Sequence, residues 1–422
     1  MAPGFPASVA VIGLGYVGLP LAVAFAEAGV SVLGVDRSEA VVAGLRAGRS
    51  HIEDVPAERL GAVLERLDAT TSTERLPQAD AVLICVPTPL NANREPDLTA
   101  LTAASDAVAG QLRAGQTVVL ESTTYPGTTR EQLVPTLERG SGLVAGTDFH
   151  VAYSPERIDP GRTDFTLATT PKTVGGYTDA CGAAARDVYA TVCEDVRVVS
   201  SPDVAELSKL LENVFRSVNI ALVNELAMLC DRMGLDIREV VDAAASKPYG
   251  FMRFDPGPGM GGHCLPVDPF YLAWRAREFD FSTEFVELAG KINQQMPYHC
   301  VQRAERALND QGKAVRGSRI AILGVAYKRD VGDIRESPAL KIVALLRALG
   351  ADVRYHDPHV EALPELELRH EPLDRVLADA DLTVIVTPHS HVDYDAVATD
   401  DRIVLDLRGV VADRRRPSVY SL

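Results

Sequence analysis

Apolar and polar positions follow two different periods along this chain, and the changes of period mark its elements. From Ser8 the text SVAVIGLGYVGLPLAVAFAEAGVSVLGVD reads as an apolar strand, a glycine turn, a helix stopping near Gly29 and a second strand closing on Asp36. That is one βαβ unit. The unbroken apolar runs AVLICVP from Ala81, TVVLES from Thr117, HVAYSP from His150 and KTVGG from Lys172 predict further strands of a parallel sheet. A strand covered on both faces shows no alternation. Residues 1–200 are therefore expected to form a doubly wound, Rossmann-like α/β domain.

At Ser201 the pattern changes to a long helix, with Ser201 as N-cap, Pro202 at the first helical position and Gly234 as the stop. Asp203 to Met233 is 31 residues, about 46 Å at 1.5 Å per residue. Its apolar positions, Leu207, Leu210, Leu211, Val214, Val218, Ala221, Leu222, Leu226 and Leu229, cover more than one face. The helix is expected to run between domains and to supply part of a dimer interface. The Gly/Pro-rich KPYGFMRFDPGPGMGGHCLPVDP and more helix to Asn309 complete a central helical domain over 201–309. A second α/β pattern, with strands SRIAILGVAY, ADVRYHDP, DLTVIVTP and RIVLDLRG, predicts a smaller Rossmann-like domain over 310–422.

Length and charge narrow the partners. The 422 residues are 46% hydrophobic, enough for a core in each of two to four domains. Lys and Arg number 42 against 58 Asp and Glu, a net charge of −16 that would repel a nucleic acid or an anionic membrane surface. Neither partner is expected. The six cysteines show no C-x-x-C pair and no Cys/His grouping at zinc spacing, so they read as reduced thiols of a cytoplasmic protein without a metal site. The apolar stretch 9–35 is read as neither signal nor membrane span, because no Lys or Arg precedes Arg37 and because Glu27, Gly13, Gly15, Gly18 and Gly29 interrupt it.

Three groups of residues carry chemistry. Gly13-Leu14-Gly15-Tyr16-Val17-Gly18 follows a strand and opens a helix, with Asp36 placed 18 residues after Gly18. The glycines make the turn, admit a pyrophosphate and allow helix against strand, while Asp36 accepts both ribose hydroxyls and repels a 2′-phosphate. NAD is therefore preferred to NADP, although the adjacent Arg37 pulls the other way. Glycines serving only packing is the bland alternative. The run Gly259-Met260-Gly261-Gly262-His263-Cys264 presents a thiol on a glycine loop, where a nucleophile competes with a buried structural cysteine. The other five cysteines, in apolar or helical runs, read as structural. His263 is read as a backbone or ligand contact. Lys209 and Asn213 are i,i+4 neighbours with Arg216 near the same line, either meeting a polar ligand or forming a solvated stripe. Thr123 and Glu156 end predicted strands, where open α/β sheets bind ligands, and spacing alone decides nothing further about them.

Together GLGYVGLP, CVPTP, ESTTYPGTT, SPERIDPG, KLLENVFRSVNIALVNELA, GPGMGGHCLPVDP and GVAYKRDVGDIRESPA resemble the UDP-glucose/GDP-mannose dehydrogenase family, in its order and over nearly the whole chain. The resemblance implies oxidation of the C6 alcohol of a nucleotide sugar to a carboxylate with two NAD per turnover. It makes Cys264 the nucleophile that captures the aldehyde. Lys209 and Asn213 become donors to the oxyanion, Asp268 and Thr123 the residues that order water, and Glu156 the acid/base of hydrolysis. NAD would be held by Gly13, Gly15, Tyr16, Val17, Gly18, Asp36, Arg37, Pro87, Thr88, Thr123 and Arg335. The nucleotide sugar would be held by Glu156, Arg157, Lys209, Asn213, Arg253, Gly261, Lys328 and Arg408, although LDLRG around Arg408 departs from the family pattern.

The strings KPYGFM, PGPGMGGHC and SPERIDPG are closer to the branch acting on UDP-N-acetylhexosamines, UDP-GlcNAc in particular. UDP- or dTDP-glucose remains an alternative on the same loop. The resemblance further implies a cytoplasmic homodimer or higher homo-oligomer. Two rivals differ in class: a two-electron hydroxyacid or 6-phosphogluconate-type dehydrogenase, which needs no Cys264, and a nucleotide-binding module without activity.

Overall fold

The computed structural model describes residues 6–91, 93, 95–158, 164–262 and 264–422, without the side chains of 264–266. Two compact units emerge. The first comprises residues up to Glu212 with Phe270–Phe281, the second Asn213–Pro269 with Ser282–Leu422. Residues 201–309, expected as one helical domain, thus fall partly in each.

In the first unit β1 (Ser8–Ile12), β2 (Ser31–Val35), β3 (Leu67–Thr70), β4 (Ala81–Ile84), β5 (Thr117–Leu120), β6 (His150–Tyr153), β7 (Lys172–Gly176) and β8 (Val196–Val199) form one sheet. Its order is β3-β2-β1-β4-β5-β6-β7-β8. The first six strands are parallel, in the arrangement whose order reverses between β1 and β4 and leaves a ligand crevice there. Successive side chains point to opposite faces. Val9 and Val11 accordingly enter one core cluster with Leu19 and Phe25, while Ala10 and Ile12 enter another with Ile84 and Leu120. Both faces are covered, which is why the strand text carries no alternation.

The sheet differs from expectation at its far edge. KTVGG was expected to run parallel, but β7 is antiparallel to β6, and β8 follows β7. A parallel return requires a crossover, usually helical, and the described residues between β6 and β7 contain no helix. β3 and β8 gave no apolar run, since each is only partly buried.

In the second unit β9 (Arg319–Leu323), β10 (Asp352–His356), β13 (Leu382–Ile385), β14 (Val404–Asp406) and β15 (Val419–Ser421) form a parallel sheet in the order β10-β9-β13-β14-β15. The short β11 (Ala362–Leu363) and β12 (Leu368–Arg369) pair antiparallel beside it. Here the order reverses between β9 and β13. Gly324, which follows β9 with φ +81°, would place a Cβ 2.0 Å from the Thr387 carbonyl oxygen, so the loops after these two strands meet at a distance only glycine permits.

The long helix runs Pro202–Met233, capped by Val204 N–H donating to Ser201 Oγ at 3.3 Å and ended by Gly234 at φ +71°. Its buried side mixes polar residues with Ala205, Leu210, Ala221, Val223, Ala227 and Cys230. The buried positions include Glu206, Lys209, Asn213, Ser217 and Asn224, whereas Leu207, Leu211, Leu222, Leu226 and Leu229 are exposed. In the first unit Glu206 accepts from Gly127 N–H at 2.6 Å and from Thr129 N–H and Oγ1 at 2.9 and 2.7 Å. In the second, Asn224 donates to Asn293 Oδ1 at 2.9 Å and accepts from Gly257 N–H at 2.9 Å.

Burial raises the Glu206 carboxyl from 4.5 to about 7, outweighing the donors from Thr129 and Gly127. Between those values the folded chain retains a proton that the unfolded chain has released, so stability falls as pH rises through that window. Relative to Glu206→Gln, wild type should lose up to about 3 kcal/mol of unfolding free energy between pH 4.5 and 7 in urea melts, and no more above. A difference between the two proteins that does not vary with pH would refute this account of Glu206.

Candidate active site

The three glycines of the first turn serve different ends. A Cβ on Gly13, at φ +91°, would lie 2.5 Å from the Cys85 carbonyl oxygen, and one on Gly18 would lie 1.8 Å from that of Gly13. Gly15 meets nothing within 4 Å. Two glycines therefore answer to the fold, and Gly15 leaves open space before the helix Gly18–Glu27. That helix begins with neither a side-chain cap nor an acidic first turn, so its N–H groups and dipole are available to an anion. Asp36, half-buried at the end of β2, accepts from Leu14 N–H and Ser38 N–H, both at 2.9 Å. Each of its oxygens keeps a lone pair for a ribose hydroxyl. Arg37 and Pro87 are exposed and Tyr16 is 41% exposed. Thr88 is buried, its Oγ1 donating to the Thr123 carbonyl at 2.7 Å and its own carbonyl accepting from Tyr271 Oη at 2.6 Å. These residues fit a dinucleotide across the crevice.

A second feature of the first unit is a buried ionic group invisible in the sequence. Lys172, first residue of β7, lies 2.8 Å from Glu121 Oε2 and 3.5 Å from Glu156 Oε2, and Tyr189 Oη donates to Glu121 Oε1. Glu156 Oε1 also accepts from Arg157 N–H and Ile158 N–H, at 2.7 and 2.6 Å. Burial works to raise the Glu156 carboxyl, but Lys172, these N–H groups and Lys209 outweigh it and hold it below the ordinary value. At neutral pH Glu156 is thus a carboxylate, a base and not an acid. Glu121 goes the other way, raised by burial despite Lys172. The guanidinium of Arg157 is engaged by Glu212 at 2.7 Å and the Pro171 carbonyl at 2.7 Å. Burial also raises the thiols of Cys85, Cys193 and Cys300, the second to about 11, which keeps them protonated and unreactive.

In the second unit Asn213 donates to Asp268, and both are buried. Asp268 belongs to the helix Cys264–Ala276, whose first residue is Cys264. The Cys264 side chain and all of His263 lie outside the described residues. Arg216, placed by spacing beside Lys209 and Asn213, is exposed where those two are buried. The glycines before Cys264 answer to packing as well as to any ligand. A Cβ on Gly261 would lie 2.6 Å from Tyr327 Cβ, and one on Gly262, at φ +86°, 2.9 Å from the Tyr327 ring. Gly262 N–H donates to the Arg335 carbonyl at 2.9 Å, and the Arg335 guanidinium pairs with Asp333 at 2.6 Å. Lys328 lies half-buried in the same loop after β9.

The structure brings Arg253 and Arg408 to one cleft of roughly 480 Å³, together with Arg238 and Arg414. Asp242 and Asp255, both paired with Arg253, line it too, with Pro256, Pro388 and residues 409–412. Burial lowers the pKa values of Arg238 and Arg408; the neighbouring Arg414 lowers that of Arg238 further, and Arg238 that of Arg408. Arg238 donates to the Leu407 carbonyl at 3.0 Å, and its buried Nε has no hydrogen-bond partner. Positive charge crowded in this way suits a diphosphate. Nothing in the local text singles out Arg238 or Arg414, which are ordinary helix and loop arginines until the fold joins them.

Comparison with known proteins matches the chain to three models of one family. The UDP-glucose/GDP-mannose dehydrogenase family NAD binding domain covers residues 7–193, the central domain 203–295 and the UDP binding domain 321–413. A UDP-N-acetyl-D-mannosamine dehydrogenase of Pyrococcus horikoshii is 36% identical over 413 residues, 96% of each chain. A UDP-N-acetyl-D-glucosamine 6-dehydrogenase of Pseudomonas aeruginosa is 36% identical over 390 residues, 92% of this chain and 89% of its own. Among solved structures, a UDP-D-ManNAc dehydrogenase from Pyrococcus horikoshii superposes with TM-score 0.90 at 34% identity, covering 98% of both chains. A UDP-glucose dehydrogenase from Pyrobaculum islandicum gives TM-score 0.90 at 30% identity, covering 100% of this chain and 98% of its own.

The glycine geometry separates binding from folding. Gly15→Ala should leave the melting temperature unchanged while raising the NAD Kd by about tenfold or more in calorimetric titration, or ~1.4 kcal/mol. Gly18→Ala should instead lower the melting temperature by about 5 °C or more. The reverse pattern would remove Gly15 from the cofactor site.

Proposed function

The chain belongs to the UDP-glucose/GDP-mannose dehydrogenase family, and on that premise we propose that it oxidises the C6 alcohol of a UDP-N-acetylhexosamine to the uronic acid, with NAD as cofactor. The observation that carries the reading is the buried Asn213–Asp268 pair, one turn after Cys264, in a chain that matches the family along its length. The relatives named as N-acetylhexosamine dehydrogenases favour an amino sugar over glucose.

NAD, which the glycine turn and Asp36 would hold, would supply the hydride acceptor for each oxidation, and the proton of the C6 hydroxyl would pass to the water that Asp268 and Thr123 order. Lys209 and Asn213 donate to the oxygen at C6 where negative charge collects. Cys264, at the first residue of its helix, where backbone N–H groups favour an anion, adds as thiolate to the aldehyde and holds it as a thiohemiacetal. The second oxidation leaves a thioester. Asp268 and Thr123 order the water that attacks it, and Glu156, kept ionised by Lys172, takes the water's proton. The acyl–sulfur bond breaks, releasing the carboxylate and regenerating the Cys264 thiolate. The arginine cleft, with Lys328, holds the diphosphate. Metal chemistry has no part in this sequence.

We further infer a homo-oligomer formed through the exposed apolar face of the long helix, since an apolar row of this length on a monomer is unfavourable in water. No described helix is long and apolar enough to cross a membrane. The five described cysteines are free, which supports a reducing, cytoplasmic setting.

Assayed across UDP-GlcNAc, UDP-GalNAc, UDP-ManNAc, UDP-glucose and dTDP-glucose, the protein should reduce two NAD per amino sugar, and Cys264→Ala should lose at least about 10³-fold in overall turnover. One NADH per sugar, or undiminished turnover without Cys264, overturns the mechanism. Turnover of glucose nucleotides alone overturns the substrate assignment. For assembly, Leu222→Arg with Leu226→Arg should shift sedimentation to the monomer, and an unchanged profile would exclude that face as the interface.

A further inference from the structure

Strands β10, β9 and β13 are neighbours in the second-unit sheet, and the loops that leave them on one edge carry Asp330, His359 and His391. One carboxylate oxygen and one ring nitrogen from each histidine lie within 4.8 Å of one another, and all three side chains are exposed. In the sequence these residues are 29 and 32 positions apart, so no local motif announces them. None of them has a part in the dehydrogenase reading.

The loops are held together by one buried carboxylate. Asp357, 0% exposed, accepts from Val325 N–H at 2.8 Å and Ala326 N–H at 2.9 Å after β9, and from His359 N–H at 3.0 Å in its own loop. From the loop after β13 it takes His389 Nε2 at 3.0 Å. His389 Nδ1 in turn accepts from Asp330 N–H at 3.0 Å, so its proton lies on Nε2 and its tautomer is settled. Ser390 N–H donates to Asp330 Oδ1 at 2.7 Å. Each loop that bears a candidate ligand is thus fixed by backbone or buried partners, while the ligating side chains remain exposed.

The rings are crowded. His359 lies 6.0 Å from His391, and both neighbour His389, at 4.9 and 5.8 Å between centroids. The cation now beside the carboxylate is the exposed Arg329, its Nε 3.5 Å from Asp330 Oδ2.

We propose that Asp330, His359 and His391 bind one divalent transition-metal ion, supplying two imidazole nitrogens and a carboxylate oxygen and leaving the remaining positions to water. The mixed N/O set selects a borderline ion such as Zn²⁺, since Ca²⁺ and Mg²⁺ favour all-oxygen sites. Zinc ligands at about 2.0–2.2 Å in tetrahedral array stand about 3.4 Å apart. Rotation of exposed side chains closes the difference. The ion would add one more tie among the three loops already linked through Asp357, His389 and Asp330, and so stabilise the second unit.

The test uses full-length, tag-free protein stripped with chelator and titrated with Zn²⁺. One equivalent per chain should bind and raise the melting temperature, and affinity should fall at least about tenfold in His391→Gln and, independently, in Asp330→Asn. Two separate variants keep the test decisive if one of them misfolds. Substituting Co²⁺ should give a visible d–d spectrum without the near-ultraviolet thiolate band that binding at Cys264 would produce. Equal Zn²⁺ affinity in wild type and both variants, a thiolate band, or no binding at about 100 µM metal overturns the site.

Discussion

Burying Glu206, Lys209, Asn213 and Asn224 along one face of a 32-residue helix is unfavourable unless each finds a charge or hydrogen-bond partner, and the surrounding residues supply one to each. Gly127 and Thr129 answer Glu206, Asp268 answers Asn213, and Gly257 and Asn293 answer Asn224. Lys209 contributes to holding Glu156 ionised. A helix built only for packing would carry leucines on this face. Here Leu207, Leu211, Leu222, Leu226 and Leu229 stand outside while these polar groups are buried in fixed positions, an arrangement that suits donors which do not have to reorganise.

The same constraint shapes the handling of charge. A chain of net charge −16 that takes two phosphate-bearing ligands works against its own long-range field. The local groups suited to such ligands are the uncapped helix N–H groups behind Gly15 and four arginines around one cleft, where Arg414 lowers the pKa of Arg238 and Arg238 that of Arg408. Lys172 illustrates the converse. One buried ammonium serves two carboxylates, and its proximity together with backbone donors leaves Glu156 charged and Glu121 with a raised pKa. The two acids differ because Glu156 also accepts N–H bonds from its own loop and feels Lys209, whereas burial prevails at Glu121.

Much of the fold was written in local pattern. The βαβ start, the buried strands, the long helix with Ser201 and Gly234 at its ends, and the second α/β segment all follow from periodicity and capping chemistry, which act over a few residues. The direction of β7 did not, because orientation depends on how the chain returns and not on the strand's own text. The partly buried β3 and β8 lacked an apolar run for the same reason that they lie toward the edges of the sheet.

For the site, the sequence by itself determined which residue types were available and the short-range pairs: the glycine turn with Asp36, Lys209 four residues before Asn213, Cys264 four before Asp268. The last two pairs stand on one helix face, where spacing is geometry, and one βαβ unit returns Asp36 to the glycine turn. Only the tertiary structure decided that Lys172 meets Glu121 and Glu156, that Arg238 and Arg414 join Arg253 and Arg408, and that three loops bring Asp330, His359 and His391 together. These groups come from separate strands, helices and loops. Their proximity is set by sheet order and packing, which no spacing along the chain encodes.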